Sequence, residues 1–244
     1  MTDDLNLTSV AQDYLKIVWS LQEWSTEPVT TKLLAERLGV GTSTVSETVR
    51  RLTGQGLLEH PRYGSIELTA AGREHAVIIV RRHRLIETFL VSVLGYTWDE
   101  VHDEAEVLEH AVSDLMVERI DRHLGHPTRD PHGDPIPGAD GVVPTSDALT
   151  LAVLDAGASG HVSRISDADP EVLRYFAELG FGLDAHVRVV ERRDFAGVVT
   201  VEWTPAPEGS PQDPAPVAPV QDAGGSHRTD LGLRAADAVW IALA

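Results

Sequence analysis

Cysteine is absent from the 244 residues. That single absence excludes disulfides, iron–sulfur clusters, thiolate nucleophiles and cysteine-based zinc sites. Long apolar runs are missing as well. No stretch reaches the roughly 18 residues that a membrane-spanning helix needs, so no membrane association is expected. The opening Met1-Thr2-Asp3-Asp4 has neither the basic nor the apolar region of a signal peptide, and a cytoplasmic location is expected. Positive charge is scarce: 20 Lys and Arg stand against 38 Asp and Glu, for a formal net charge of −18. A uniformly basic surface for nucleic acid is thereby excluded.

What is present suits ordinary cores, with 42% hydrophobic and 24% charged residues and enough length for two or three small domains. The charge is unevenly spread. Residues 28–75 hold six Lys and Arg against five Glu, whereas the rest holds 14 basic and 33 acidic residues. A DNA-contacting unit attached to an acidic body fits that asymmetry. Histidine is uneven too, with seven of 11 lying between His75 and His132. Carboxylates and imidazoles enriched together make this section a candidate for metal binding.

Apolar spacing predicts an amphipathic helix over 8–24, with Val10, Tyr14, Ile17, Val18 and Leu21 on one stripe. A short second helix capped by Thr30 or Thr31 stops at Gly39, and a third runs from about Thr42 to Gly54 with Val45, Val49 and Leu52 inward. Leu57–His60 and Ile66–Thr69 read as two strands. Helix, helix–turn–helix and hairpin in that order make a winged helix-turn-helix. A long helix over 70–94 capped by Thr69 comes next, and a second long helix is expected from Trp98 to Leu124. A connector with five prolines follows, then short β runs with a helix over Glu171–Leu179. Residues 205–225 read as a disordered Pro-rich insertion. The stretch Ala238–Leu243 reads as the closing strand of a small β-barrel.

The third helix carries small hydroxyl residues and arginines opposite its apolar face. Small side chains let the backbone approach a major groove, and hydroxyls can bond phosphates or base edges. Thr42, Ser43, Thr44, Ser46 and Glu47 are the candidate contacts, with Arg50 and Arg51, and Arg62 in the wing, suited to phosphates. A merely solvated helix face is the alternative, and the full helix–turn–helix–wing order argues against it. The densest chemistry runs from His102 to His110. On a helix, Glu106, Glu109 and His110 stand at i, i+3 and i+4 and converge. Two carboxylates and an imidazole that close repel and resist burial unless a cation bridges them. His83 and Glu87 form a second i, i+4 pair on the preceding helix, which antiparallel packing would bring near His102. The alternative is a solvated acidic helix with an incidental histidine.

These residues resemble the metal-dependent transcriptional repressors typified by the diphtheria toxin repressor. The resemblance rests on Thr44–Val49, on Arg82-His83-Arg84-Leu85 with Glu87, on Val101–Ala105 running to Glu109-His110, and on Asp134–Gly138. It implies a mainly α protein with small β structure, in three parts. These are a winged helix-turn-helix over 1–74, a helical metal-binding and dimerisation domain with connector over 75–144, and an SH3-like β-barrel over 145–244. It also implies a primary metal site at Asp13, Glu106, Glu109 and His110. An ancillary site falls on His83, Glu87 and His102, completed by Asp167, Asp169 or Glu171. Iron-responsive members place Met and Cys where this chain has Asp13 and Glu106. An all-oxygen and imidazole set suits Mn²⁺, with Fe²⁺ as the alternative. Two-domain manganese regulators carry a further carboxylate where this chain has Lys16, which argues against a binuclear site of their kind. The expected function is a non-enzymatic repressor that binds palindromic double-stranded operator DNA as a homodimer when loaded with Mn²⁺. A metallohydrolase fused to a winged helix, or a winged-helix regulator answering an organic ligand, are the readings from other classes.

Overall fold

The computed structural model describes residues 7–62, 64–206 and 225–243. The chain divides into two compact units, Met1–His83 with Pro137–Val143, and Arg84–Ile136 with Pro144–Ala244.

In the first unit, helix α1 (Ser9–Trp24) begins at Thr8, whose hydroxyl accepts from the Ala11 N–H at 3.3 Å. Helix α2 (Thr31–Leu38) is capped by Thr30, and Gly39 closes it at φ 64°. That left-handed turn favours glycine. Helix α3 (Thr42–Gly54) then leads into strands β1 (Leu58–Glu59) and β2 (Glu67–Leu68), paired antiparallel with Leu58 opposite Leu68. Both strands are shorter than the four-residue runs the sequence suggests. Helix α4 (Ala70–Leu94) starts at Thr69, whose hydroxyl accepts from the Gly72 N–H at 3.0 Å and donates to the Gly56 carbonyl at 2.7 Å. The helix presses so closely on the hairpin that a Cβ at Gly72 would lie 1.9 Å from the Leu57 carbonyl oxygen. Leu15, Val18, Leu34, Val45, Leu52, Leu57 and Ile66 are fully buried in one core. Each such side chain contributes about 1.5–3 kcal/mol on leaving water.

In the second unit, the single helix expected over Trp98–Leu124 is two helices, α5 (Val101–Leu108) and α6 (Asp114–His123). Ser113 breaks the run: its backbone is extended, and its hydroxyl accepts from the Met116 N–H at 3.3 Å. Such a cap replaces the carbonyl acceptor that a continuous helix would supply. The break also lets Val112 pack into two clusters, one with Ile86, Leu90 and Val101, the other with Leu85, Val117 and Ile120. Glu109 is therefore the C-cap of α5, and His110 lies in the turn beyond it rather than on a helical face.

The sheet of this unit contains β3 (Leu149–Thr150), β4 (Ser159–Ile165), β5 (His186–Arg193), β6 (Val198–Thr204), β7 (His227–Gly232) and β8 (Val239–Leu243). Helix α7 (Pro170–Leu179) follows β4, and α8 (Leu233–Asp237) precedes β8. The strand order is β3-β8-β4-β5-β6-β7, antiparallel throughout. β8 thus inserts between β3 and β4, and among the described residues β3 and β7 remain unpaired edges. The SH3-like sheet is open here rather than closed. Phe176, Phe181 and Trp203 pack in sequence through its core at ring separations of 5.0 and 5.2 Å, the first pair tilted and the second edge to face. Of the Pro-rich insertion expected over 205–225, residues 207–224 lie outside the described residues.

Candidate metal centre and DNA-facing helix

Four segments of the second unit converge on one acidic cluster. α4 supplies Glu87, 1% exposed; α5 supplies His102; the loop after α6 supplies His132; and the turn after β4 supplies Asp167. His102 Nδ1 lies 3.3 Å from Glu87 Oε1 and 3.2 Å from Asp167 Oδ2. His132 Nδ1 lies 4.0 Å from Glu87 Oε2. One ligand atom each from Glu87, His132 and Asp167 fall within 4.8 Å of one another. The His132 tautomer follows from its other nitrogen, which is 2.7 Å from the Trp98 carbonyl oxygen. A carbonyl only accepts, so Nε2 carries a hydrogen and Nδ1 is the nitrogen that faces Glu87. That arrangement, a ring nitrogen fixed by a backbone carbonyl, is how ligating imidazoles are oriented.

The electrostatics describe a cluster that attracts cations. Burial works against a charged His102, but hydrogen bonds to Asp167 and Glu87 outweigh it and push the ring up to about 11. Burial likewise opposes charge on His132, and the carboxylates of Glu87 and Asp130 raise it nonetheless. Burial opposes the Asp167 carboxylate, yet the His102 hydrogen bond and the charges of His132 and Arg164 hold it well below the usual range. A divalent cation would take over the role these protons play. The donors are carboxylate oxygens and imidazole nitrogens without sulfur, a set that fits Mn²⁺ or Fe²⁺.

A buried network supports the cluster. Asp130 accepts from the His132 and Asp134 N–H groups at 2.9 Å each, shaping the loop. Burial and the neighbouring Asp134 push its carboxyl up to about 8. Asp134 accepts from Arg164 Nε at 2.8 Å and from Arg84 Nη2 at 3.4 Å, joining β4 to α4. His132, Asp130 and Asp134 were not singled out by sequence reasoning as ligands or supports. The available signals were the histidine-rich section and the alternating Asp130-Pro131-His132-Gly133-Asp134 loop.

The other candidates are distributed as follows. Glu106 Oε1 lies 3.4 Å from His102 Nε2, and Glu109 Oε1 lies 3.5 Å from His110 Nε2, with Glu109 1% exposed. Asp13 is half-buried on α1, and His83 is buried on α4 one turn before Glu87. Asp169 does not join the cluster: it caps α7 through the Glu171 N–H at 3.0 Å and pairs with Arg234. Glu171 is exposed in the first turn of α7. In the first unit, α3 buries Val45, Thr48, Val49 and Leu52 and exposes Thr42, Ser43, Thr44, Ser46, Glu47, Arg50 and Arg51. Ser46 donates its hydroxyl to the Thr42 carbonyl at 2.8 Å, and Arg62 is exposed in the hairpin turn.

Residues 6–66 match the family model for the N-terminal DNA-binding domain of iron-dependent repressors, and residues 69–138 match the metal-binding and dimerisation domain of the same proteins. Residues 149–204 match the FeoA domain. The chain therefore belongs to the iron-dependent repressor family and is a metal-dependent, DNA-binding transcriptional repressor. It is 35% identical over 208 residues to the iron-dependent repressor IdeR of Mycobacterium tuberculosis, covering 82% of this chain and 86% of that one. The diphtheria toxin repressor of Corynebacterium diphtheriae is 34% identical over 206 residues, 80% of this chain and 89% of the relative. Among solved structures, a manganese-dependent transcriptional repressor in complex with manganese is 53% identical. It superposes with a TM-score of 0.85 over 96% of this chain and all of the other. Among the described residues, no helix is long and apolar enough to cross a membrane.

Proposed function

We propose that this protein is a cytoplasmic, manganese-responsive repressor that binds palindromic operator DNA as a homodimer. Three parts divide the work: 1–74 reads DNA, 75–144 senses metal and dimerises, and 145–244 completes the second metal site. The primary ligands are Asp13, Glu106, Glu109 and His110. The ancillary set is His83, Glu87 and His102, joined by Asp167 and, as a ligand the sequence reading did not name, His132. The observation that carries the metal reading is the convergence of Glu87, His102, His132 and Asp167, a set of hard oxygen and imidazole donors in a chain without cysteine. The exposed apolar side chains Val107, Leu115 and Met116 on α5 and α6 support a dimer surface there.

Clustered carboxylates repel one another until a divalent cation neutralises them. Regulation then requires that the DNA-competent arrangement hold the cation more tightly than the alternatives. A fluorescence binding assay on operator DNA with and without Mn²⁺ tests this, and metal-independent affinity would sink it. Iron-dependent relatives favour a second reading with Fe²⁺ as effector. Asp13→Met with Glu106→Cys decides between them, because soft donors weaken Mn²⁺ more than Fe²⁺, Co²⁺ or Zn²⁺. Activation of the double variant should shift toward those metals. An unchanged order of metal activation would withdraw the manganese assignment while leaving DNA binding intact.

A further inference from the structure

On the solvent side of the sheet, the register of β4 and β5 sets His161 directly opposite His186. Both side chains are exposed, and their ring centroids stand 5.2 Å apart at an interplanar angle of 72°. Among the described residues neither imidazole meets a carboxylate at ion-pair distance, unlike His102, His110 and His126. Nδ1 of His161 lies 3.3 Å from the Asp184 carbonyl oxygen. Because that oxygen only accepts, Nδ1 carries the hydrogen and Nε2 keeps its lone pair. Asp184 is anchored in turn by the Arg129 guanidinium, with one contact at 2.8 Å.

We propose that His161 and His186 form a separate surface site for a borderline divalent transition ion of the zinc class, distinct from the sensing cluster. A Zn–N bond of about 2.0–2.1 Å puts each ring centroid about 3.2 Å from the ion, so two imidazoles at a tetrahedral angle stand about 5 Å apart. The observed pair has that separation. The His161 Nδ1–H bonded to a backbone carbonyl supplies the outer contact that fixes a ligating tautomer. Solvent fills the remaining positions, which makes the site open and exchangeable. Imidazole-only donors favour Zn²⁺, Ni²⁺ or Cu²⁺ over Mn²⁺, which lies at the weak end of the divalent series. On the same face, Arg188 stands two residues along β5 and opposes a cation. Its register partner Glu202 on β6 offsets that charge.

The test uses the full-length protein and the metal ion alone, read without DNA. Zn²⁺ is titrated by calorimetry into wild type, His161→Gln, His186→Gln and the double variant. Wild type should bind one more Zn²⁺ than the double variant, and each single substitution should weaken that equivalent by about tenfold or more. With Cu²⁺, the electron spin resonance spectrum should contain a two-imidazole component that either variant loses, while the signal of the sensing cluster remains. Circular dichroism identical to wild type confirms that the exposed substitutions leave the sheet intact. Equal Zn²⁺ stoichiometry and affinity in wild type and double variant would overturn the site, whatever the behaviour of the manganese ligands.

Discussion

The outer face of α3 and the cluster around Glu87 put polar side chains in opposite surroundings. Thr42, Ser43, Thr44, Ser46, Glu47, Arg50 and Arg51 are all exposed, and shed water only when a partner arrives. Glu87 and His132 are each 1% exposed, and Arg84, Asp130, Asp134 and Arg164 are buried beside them. These groups shed their water on folding. Isolated burial of so many charges is costly, and it is offset here by mutual pairing together with hydrogen bonds to backbone groups. The difference teaches where a substitution is felt. On α3 it should change binding and leave folding alone. Around Glu87 it should reach folding first and metal binding with it.

The largest effect is expected at Asp134. Its carboxylate is the shared acceptor for Arg84 and Arg164, which are 5% and 6% exposed. Asp134→Ala would leave two buried guanidinium groups short of an anion, at a cost of about 3–5 kcal/mol. Urea unfolding of the metal-free protein checks this. A loss below about 1 kcal/mol would mean that water or Asp130 compensates, and the contrast between the two regions would weaken.

Arg50→Ala sharpens the other side. The residue is exposed on α3, so stability should stay within about 0.5 kcal/mol of wild type. Operator affinity should fall for every sequence alike, and the slope of log affinity against log salt should shrink by about one, as for a lost phosphate contact. A loss confined to one base position would instead make Arg50 a base reader.

The two regions also differed in how much of them could be read from the chain. α1 to α4 were legible because their boundaries are local: Thr8, Thr30 and Thr69 cap α1, α2 and α4, Gly39 stops α2, and Gly41 opens α3. The break between α5 and α6 was not legible, because no glycine or proline marks it. Ser113 is the sole local signal, and it sits inside a run with helical periodicity. β8 was legible as a strand, yet its place between β3 and β4 is a long-range matter that alternation does not encode. The same holds for the site. Spacing pairs His83 with Glu87 on one helix, and antiparallel packing with the family resemblance adds His102 on the next. His132 lies in a loop without periodicity, where only tertiary packing turns its Nδ1 toward Glu87. Asp167 and Asp169 are two residues apart, and only the geometry of the turn separates the one facing His102 from the one capping α7.

The smallest effect is expected at an exposed carboxylate that is paired without burial. Asp230 on β7 accepts from the Thr200 hydroxyl at 2.6 Å and from Arg193 Nη2 at 2.9 Å. The hydroxyl bond first and the guanidinium second hold its carboxyl below the usual carboxylate value. A lowered native value means that the unfolded chain takes up the proton first as pH falls. Its stabilising contribution is therefore complete above the unfolded value of about 3.9, and is lost as pH falls through the lower native value. Asp230→Asn keeps an acceptor for Thr200 but removes the charge. Urea unfolding should show a small, constant deficit in the variant above about pH 5, closing on acidification below about pH 3.9. High salt should shrink the deficit, since an exposed pair is screened far more than the buried Asp134 network. A deficit that persists unchanged into acid would show that shape, not charge, is what Asp230 contributes at this sheet edge.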